Sequence, residues 1–356
     1  NRSEKKFVDL QHDVTVKDIK VAHIEGFRSV EHLKRYTTLG MAADQGKTSN
    51  MNALAIMAEL RGISIPEAGT TRFRAPYKPV ALGTLAGRNI GNHYKAKRVT
   101  PMHDWHIDHG AEMIEAGIWY RPRVYKKPGE TLEEAYVREA TAVRNSVGIV
   151  DVTSLGKIDV QGPDAAEFLN RVYVNPFLRV PVGKARYGIM LREDGYLFDD
   201  GTSWRLSETQ FLMTTTTANA ASVLSELERL LTLVWPNLKV HVSSVTDQWA
   251  GMAVAGPKSR DVLVKIIDDI DFSEKGLPHM AIADGRIGKI PVKVARLSFS
   301  GERAYEIYTG ASHGKAVWKA VIEAGKSYDI VPYGTEALGT LRIEKGHISG
   351  PELDGR

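Results

Sequence analysis

The chain has 356 residues, 43% hydrophobic and 25% charged, which is material for two to three domains of roughly 100–200 residues and a large buried core. It contains no cysteine, which excludes disulfides, thiolate nucleophiles and cysteine-ligated zinc or iron–sulfur clusters. The net charge is +4, but 47 basic residues are interspersed with 43 acidic ones rather than gathered into a basic arm, which argues against a nucleic-acid partner. No stretch approaches the roughly 18–20 apolar residues of a membrane helix, and the start, "NRSEKKF", is polar, so the chain reads as cytoplasmic with no membrane partner. Its end, "HISGPELDGR", carries no terminal element, so the chain reads as a piece of a longer one.

In chain order, residues 1–64 read as a small helical module. "TVKDIKVAHIEG" has a Thr cap, an acid three residues on and a glycine stop; "SVEHLKRYTTLG" repeats that design; "NMNALAIMAELRG" is an amphipathic helix ending at Gly62. Residues 65–99 carry Pro and Gly at short intervals and read as an extended linker. From residue 100 to 356 short β-branched runs alternate with turns and helices, beginning with a helix over "EEAYVREATAVRNSV". "KIDVQGPDAAEFL" from Lys157 and "GMAVAGPKSRDVL" from Gly251 share a strand, a Gly-Pro turn and a helix, with Pro expected at the first helical position. This repeat predicts an α+β fold with two related subdomains. Between the repeats lie two hairpins, "ARYGIMLREDGYLFDDG", turning at Asp194-Gly195, and "WRLSETQFLMTTTT".

Three stretches carry candidate chemistry. "HDWHIDH", His103 to His109, has metal-like spacing, but no distant acid is committed to it and the residues that follow read as packing. "SFSGERAYEIY" alternates Tyr305 and Ile307 against Glu306 and Tyr308, which points Glu306 either into a pocket or into solvent. In "GYLFDDG" the adjacent Asp199 and Asp200 read alone as turn acids more often than catalytic ones; on a strand they point to opposite faces, so at most one of them serves a site and the other is solvated or supports it.

Taken together, "TPMHDWHIDHGAEMIEAGIWYRP", "AVRNSVGIVDVTSLGKIDVQGPDA", "GKARYGIMLREDGYLFDDG", "AVAGPKSRDVL", "SFSGERAYEI" and "LRIEKGH" resemble, in order and spacing, the glycine-cleavage T-protein family of tetrahydrofolate-dependent aminomethyltransferases, over about residues 100–356. With the module in front, the chain is similar to the later half of the alpha-subunit family of heterotetrameric sarcosine oxidases. The resemblance implies that Asp200 lies near the reactive nitrogens of tetrahydrofolate, that Tyr187 and Leu155 line the folate, and that Glu306 binds the pterin edge. It implies no metal, and makes the histidine cluster part of the family's opening strand and turn.

The resemblance also implies an oxidative demethylation of sarcosine to glycine. The one-carbon unit would pass to tetrahydrofolate to give methylene-tetrahydrofolate, and oxygen would end as peroxide. A flavin-bearing beta subunit and smaller subunits would complete a hetero-oligomer holding FAD, FMN and NAD outside this chain. A stand-alone aminomethyltransferase or demethylase and a non-catalytic folate-binding assembly factor stay open as alternatives.

Four departures accompany the resemblance. Leu338 stands where the family has an arginine that holds folate, Thr216 where it has asparagine, and the family's carboxy-terminal barrel is missing. The module is similar to small two-iron ferredoxin-like domains, but Asp9, Gln11, Asp44 and Ser49 stand at the cysteine positions, so it carries no thiolate-ligated cluster.

Overall fold

Residues 5–94 and 96–349 are described by a computed structural model, the side chains of 92–94 excepted. The extreme start and end, on which the readings of a polar leaderless start and an end without an element partly rest, lie outside the described residues. The chain divides into two units, Asn1–Ala96 and Lys97–Arg356.

The first unit pairs β1 (Phe7–Asp9) with β2 (Val14–Thr15) and then runs through α1 (Val16–Ile24), α2 (Val30–Thr37) and α3 (Asn50–Arg61). At α1 the Thr15 hydroxyl accepts from the Asp18 amide at 3.4 Å, and Asp18 accepts from the Thr15 amide at 2.8 Å, the reciprocal box that the sequence announces. The repeat of that design at α2 fails, because the acid Glu31 lies one position too early; the Ser29 side chain caps nothing, and Glu31 accepts instead from the Arg72 amide. Ile19, Leu33, Leu39 and Met57 fill the core.

The segment expected to be extended contains α4 (Ile65–Ala68), α5 (Leu82–Ala86) and a tighter turn at Arg88–Tyr94. The signal for α4 was present in Ser64 and Glu67, which form a capping box. The four cysteine-replacing residues are mostly bonded to backbone and to one another. Asp9 accepts from the amides of Gln11 (2.9 Å), His12 (3.2 Å) and Gly40 (2.8 Å), and Gln11 accepts from the Asp44 amide at 3.5 Å, whereas Ser49 is buried and its hydroxyl has no hydrogen-bond partner among the described residues.

The second unit opens with α6 (His103–Asp108), β3 (Ala111–Ala116), β4 (Trp119–Tyr125), α7 (Leu132–Asn145) and β5 (Gly148–Asp151). The histidine cluster is therefore a helix where a strand was expected. Then follow β6 (Gly156–Gln161), α8 (Ala165–Val172), β7 (Ala185–Leu191), β8 (Leu197–Ser207), β9 (Gln210–Thr215), α9 (Ala220–Arg229) and β10 (His241–Ser244). The second series is β11 (Trp249–Ala255), α10 (Ser259–Leu263), β12 (Ile282–Ile287), β13 (Ile290–Ala295), β14 (Ala304–Gly310), α11 (Gly314–Gly325), β15 (Val331–Pro332) and α12 (Thr335–Glu344).

The strand orders are β10-β6-β9-β8-β7 and β12-β13-β14-β11-β5-β15, both open sheets. Each series is thus a strand, a helix and a three-strand meander whose last strand returns beside the first, and the fold is α+β. The duplication extends well beyond the repeated segments. Gln161 faces Gln210 as Ala255 faces Ala304, so Leu212 and Glu306 occupy matching places. Trp204 faces Leu212 as Ala295 faces Glu306, which matches Asp200 with Pro291.

In both repeats the helix begins later than expected: Asp164 and Lys258 are the caps, so Pro163 and Pro257 precede them. The preceding glycines have no alternative. A Cβ on Gly162 would lie 2.0 Å from the Lys239 carbonyl oxygen, and one on Gly256 2.4 Å from that of Ser146.

The sheets meet edge to edge. The Ala185 amide donates to the Met280 carbonyl at 2.8 Å and the Ile282 amide to the Gly183 carbonyl at 2.9 Å, with both Gly183 (φ 79°) and Met280 (φ 63°) left-handed. Arg205 and Arg296 mirror one another beneath this join, donating to the carbonyls of Val180 (2.7 Å) and Leu277 (3.1 Å). Away from the join the two sheets enclose an inner core of Val150, Val152, Trp204, Leu212, Ala295 and Tyr308, into which α7 and α12 also pack.

Candidate functional site

Alternation along β8 puts Asp200 on the same face as Thr202 and Trp204, and Trp204 belongs to the inner core. Across the hairpin, Tyr187 lies opposite Thr202 and Ile189 opposite Asp200, which brings the Tyr187 hydroxyl to donate to Asp200 Oδ2 at 2.7 Å. Burial raises the Asp200 carboxyl, against the lowering pull of that hydrogen bond. The Tyr187 hydroxyl is also held high, by burial first and then by its bond to the carboxylate. Asp199 turns to the other face. It is not solvated: at 3% exposure it accepts from the Thr216 amide (3.2 Å) and from Asn219 Nδ2 (3.4 Å), and burial pushes it up to about 6. It therefore holds the turn after β9 in place and makes no hydrogen bond to Asp200.

On the opposing sheet, Ala304, Glu306 and Tyr308 share the inner face of β14, while Tyr305 and Ile307 pack outward on α10 and α11. The Tyr308 hydroxyl donates to Glu306 Oε2 at 3.1 Å. Burial pushes the Glu306 carboxyl up to about 7, opposed by that bond and by the charge of Lys157. Lys157 is fully buried; its ammonium donates to the carbonyls of Thr153 (2.5 Å) and Leu155 (2.7 Å) and lies 5.7 Å from the Tyr308 ring. Burial lowers it to about 8. Leu155 and Leu338 pack against the same inner core, and the Trp204 ring stacks on Tyr308 with centroids 4.7 Å apart.

Two hydrogen-bonded pairs thus emerge, Tyr187 with Asp200 on one sheet and Tyr308 with Glu306 on the other, and the Trp204–Tyr308 stack links the two sheets, with Leu155 packed against the same core. They make no direct hydrogen bond to each other. Sequence reasoning missed Lys157 and Trp204. A lysine inside the β-branched run "GKIDV" was the available signal, because a strand that is buried on both faces rarely tolerates one without dedicated acceptors.

Two clefts lie elsewhere. One of about 740 Å³ opens between Trp249 and the β12–β13 hairpin, at Asp284, Arg286 and Lys293; another of about 650 Å³ lies between α6 and α11, at His109, Lys315 and Lys319. Neither is lined by Asp200, Tyr187, Glu306 or Leu155.

The metal-like histidines serve packing. His106 is buried between Asp151 (3.0 Å to Oδ2) and the Tyr125 hydroxyl (2.8 Å), and His109 stacks on Trp105. Among the described residues no group of three or more His, Asp or Glu side chains is placed to hold a metal ion.

Residues 102–356 match the family model of the GCVT N-terminal domain, and residues 3–88 that of the sarcosine oxidase A3 domain. The chain is 51% identical over 355 residues to sarcosine oxidase subunit alpha of Rhizobium meliloti (strain 1021), covering 99% of this chain and 36% of that protein. It is 30% identical over 264 residues to the aminomethyltransferase of Halothermothrix orenii, covering 72% and 67%. In fold it is similar to glycine cleavage system aminomethyltransferase T from Bartonella henselae, with a TM-score of 0.61 at 23% identity, covering 71% of this chain and 64% of that one. The chain spans about a third of the length of the sarcosine oxidase alpha subunits it matches. On the match over residues 102–356, with two facing sheets built from one duplicated unit, the chain belongs to the GCVT N-terminal domain family.

Proposed function

We propose that residues 97–349 bind tetrahydrofolate and load it with a one-carbon unit, as part of a sarcosine oxidase alpha subunit. The observation that carries this reading is the convergence of a tyrosine-bonded carboxylate, Asp200, and a second buried carboxylate, Glu306, on one interior from two sheets. A pterin offers adjacent N–H donors, and a strand carboxylate such as Glu306 accepts them in paired, charge-assisted fashion, about twice as strong as neutral bonds. Leu155, partly buried against the inner core, provides an apolar face for the ring.

Asp200 then manages protons. The electrophile is the iminium left by oxidation of the amine, chemistry that a flavin elsewhere in the complex supplies. N5 of tetrahydrofolate bonds to the iminium carbon, and Asp200 takes the N5 proton and returns it to the amine nitrogen. The carbon–nitrogen bond breaks, glycine leaves, and N10 closes the methylene bridge with loss of its own proton. Tyr187 holds Asp200 in place for the transfer.

The flavins and NAD are assigned to other parts of the hetero-oligomer, in a flavin-bearing beta subunit and the rest of the alpha subunit. In both strand–turn–helix units of this chain the glycine packs against a carbonyl oxygen, of Lys239 and of Ser146, which supports placing the nucleotide cofactors elsewhere than at these two turns. The A3-domain match over residues 3–88 favours this assembly over a stand-alone aminomethyltransferase.

The test is Asp200→Asn in the assembled enzyme, with peroxide, formaldehyde and methylene-tetrahydrofolate measured in parallel. Amine oxidation should stay near wild type while transfer falls about 100- to 10,000-fold and free formaldehyde appears. Transfer at the wild-type rate would return Asp200 to a structural role.

A further inference from the structure

Lys157 stands on β6 opposite Thr214, which alternates in step with Leu212 of the inner core, so the pleat sends the lysine inward. A polar row crosses that face with it: the hydroxyls of Thr214 and Thr202 lie 3.2 Å apart, and Thr202 is opposite Tyr187. The row runs from the Asp200–Tyr187 pair at one side of the sheet to the lysine at the other. A fully buried ammonium there needs a reason, because taking a charge out of water costs free energy that an apolar core does not return. The carbonyls of Thr153 and Leu155 accept from it without neutralising it, and among the described residues no carboxylate forms an ion pair with it.

Glu306 has the opposite problem. Among the described residues its carboxylate accepts from the Tyr308 hydroxyl and from no cation. The ionisable groups that bear on it are Tyr308, Tyr333 and Lys157, and burial keeps both phenols neutral. Lys157 is thus the one positive charge acting on Glu306 among the described residues. The ammonium lies 5.7 Å from the centre of the Tyr308 ring, and the hydroxyl of that ring is 3.1 Å from Glu306 Oε2, so one tyrosine touches the carboxylate and flanks the cation. Asp151, Glu306 and Asp247 in turn favour the charged lysine, and Arg121 opposes it. Asp151 is committed to His106 and the Thr153 amide, and Asp247 to Arg98, which leaves Glu306 as the acid of the three with no nitrogen donor on its carboxylate.

On the reading of the site proposed above, the geometry points to Lys157 as a positioning residue, a sealed positive charge that keeps Glu306 in the carboxylate form that accepts the pterin N–H groups. A buried carboxyl without a nearby cation takes up a proton, and a protonated Glu306 would set an O–H donor against the ring's own donors. The lysine itself stays out of contact with the ligand, since it has no exposed surface and donates to two carbonyls of the β5–β6 connection, whereas Glu306 is less completely covered. Burial lowers Lys157 only to about 8, which leaves it charged at neutral pH.

The experiment is calorimetric titration, without oxygen, of the full-length assembled protein with tetrahydrofolate from about pH 6 to about pH 9, comparing wild type with Lys157→Met, Lys157→Gln and Glu306→Gln. In wild type the affinity should rise with pH to a plateau. In Lys157→Met and Lys157→Gln alike the midpoint of that rise should move up by about one pH unit, so that binding is about tenfold weaker at the acid end and near wild type at the alkaline end. Gln keeps a donor for the carbonyls and Met does not, so a shared shift belongs to the charge. Glu306→Gln should give a flat profile, and adding Lys157→Met to it should introduce no pH dependence. Midpoints are read within each variant, so a partly misfolded sample lowers the stoichiometry and leaves them readable. An unmoved midpoint in both lysine variants, or an affinity loss equal at every pH, overturns the role of Lys157 and leaves the folate reading standing. A flat wild-type profile, or one that Glu306→Gln leaves unchanged, overturns it too. Failure of wild type to bind tetrahydrofolate overturns both.

Discussion

Burial holds the Glu306 carboxyl up to about 7, and this sets a pH dependence on the ligand. Accepting from a pterin edge requires the carboxylate, so tetrahydrofolate affinity should rise as pH increases from 6 to 8, and Glu306→Gln should flatten the profile while lowering affinity throughout; titration at three pH values checks it. Stability runs the other way. Glu306, Asp199 and Glu139 (also pushed to about 7) are all raised above their unfolded values of roughly 4. The folded chain therefore holds more protons between pH 4 and 7, and their contribution is present below pH 4 and lost as pH rises through 6 to 7. Asp199 also pins the turn after β9, so Asp199→Ala should cost about 1–3 kcal/mol by freeing the Thr216 amide and Asn219, read as a lowered Tm. That Asp199 and Asp200 divide into two roles was legible from strand alternation alone. Which role Asp199 takes was not, because it depends on Thr216 and Asn219 folding back over the neighbouring strand.

At the scale of elements, caps separate what sequence announces from what it only suggests. Thr131 and Glu134 form a reciprocal box at the start of α7, so Thr131→Ala should destabilise by about 1 kcal/mol, whereas Ser29→Ala at α2 should change Tm little, since no side-chain bond is lost there. Denaturant melts of the two variants compare them directly. The hairpin turning at Gly195 (φ 84°) was legible because Asp-Gly admits the left-handed backbone that such a turn needs. The α6 helix was not. "HDWHIDH" carries no cap signal, and its helix is held by tertiary contacts of Trp105 and His106 with Trp318 and Asp151 that lie far away in sequence.

In the whole molecule, we propose that the first unit, at the positions where the ferredoxin-like domains it resembles carry cysteines, holds no cluster. Asp9 and Asp44 are bonded to backbone amides, so we expect the purified protein to contain no iron or sulfide assigned to this unit; stoichiometric iron lost on changing Asp9 or Asp44 to alanine would contradict it. The duplication in the second unit was visible in two Gly-Pro turns, but its extent was not, since the matching of Leu212 with Glu306 and of Pro291 with Asp200 shows only in strand register. The join between Ala185 and Met280 also bears on how the chain avoids sticking to its neighbours. An unpaired strand edge is a template for another chain, and each half, standing alone, would expose one at β7 or β12. By laying these two borders against each other the duplicated halves shield both. What is left is β10, four residues long, and β15, two residues long and ending in Pro332, whose ring offers no amide to a newcomer. Duplication here doubles as protection against aggregation, since each half occupies the border at which the other would have recruited a stranger.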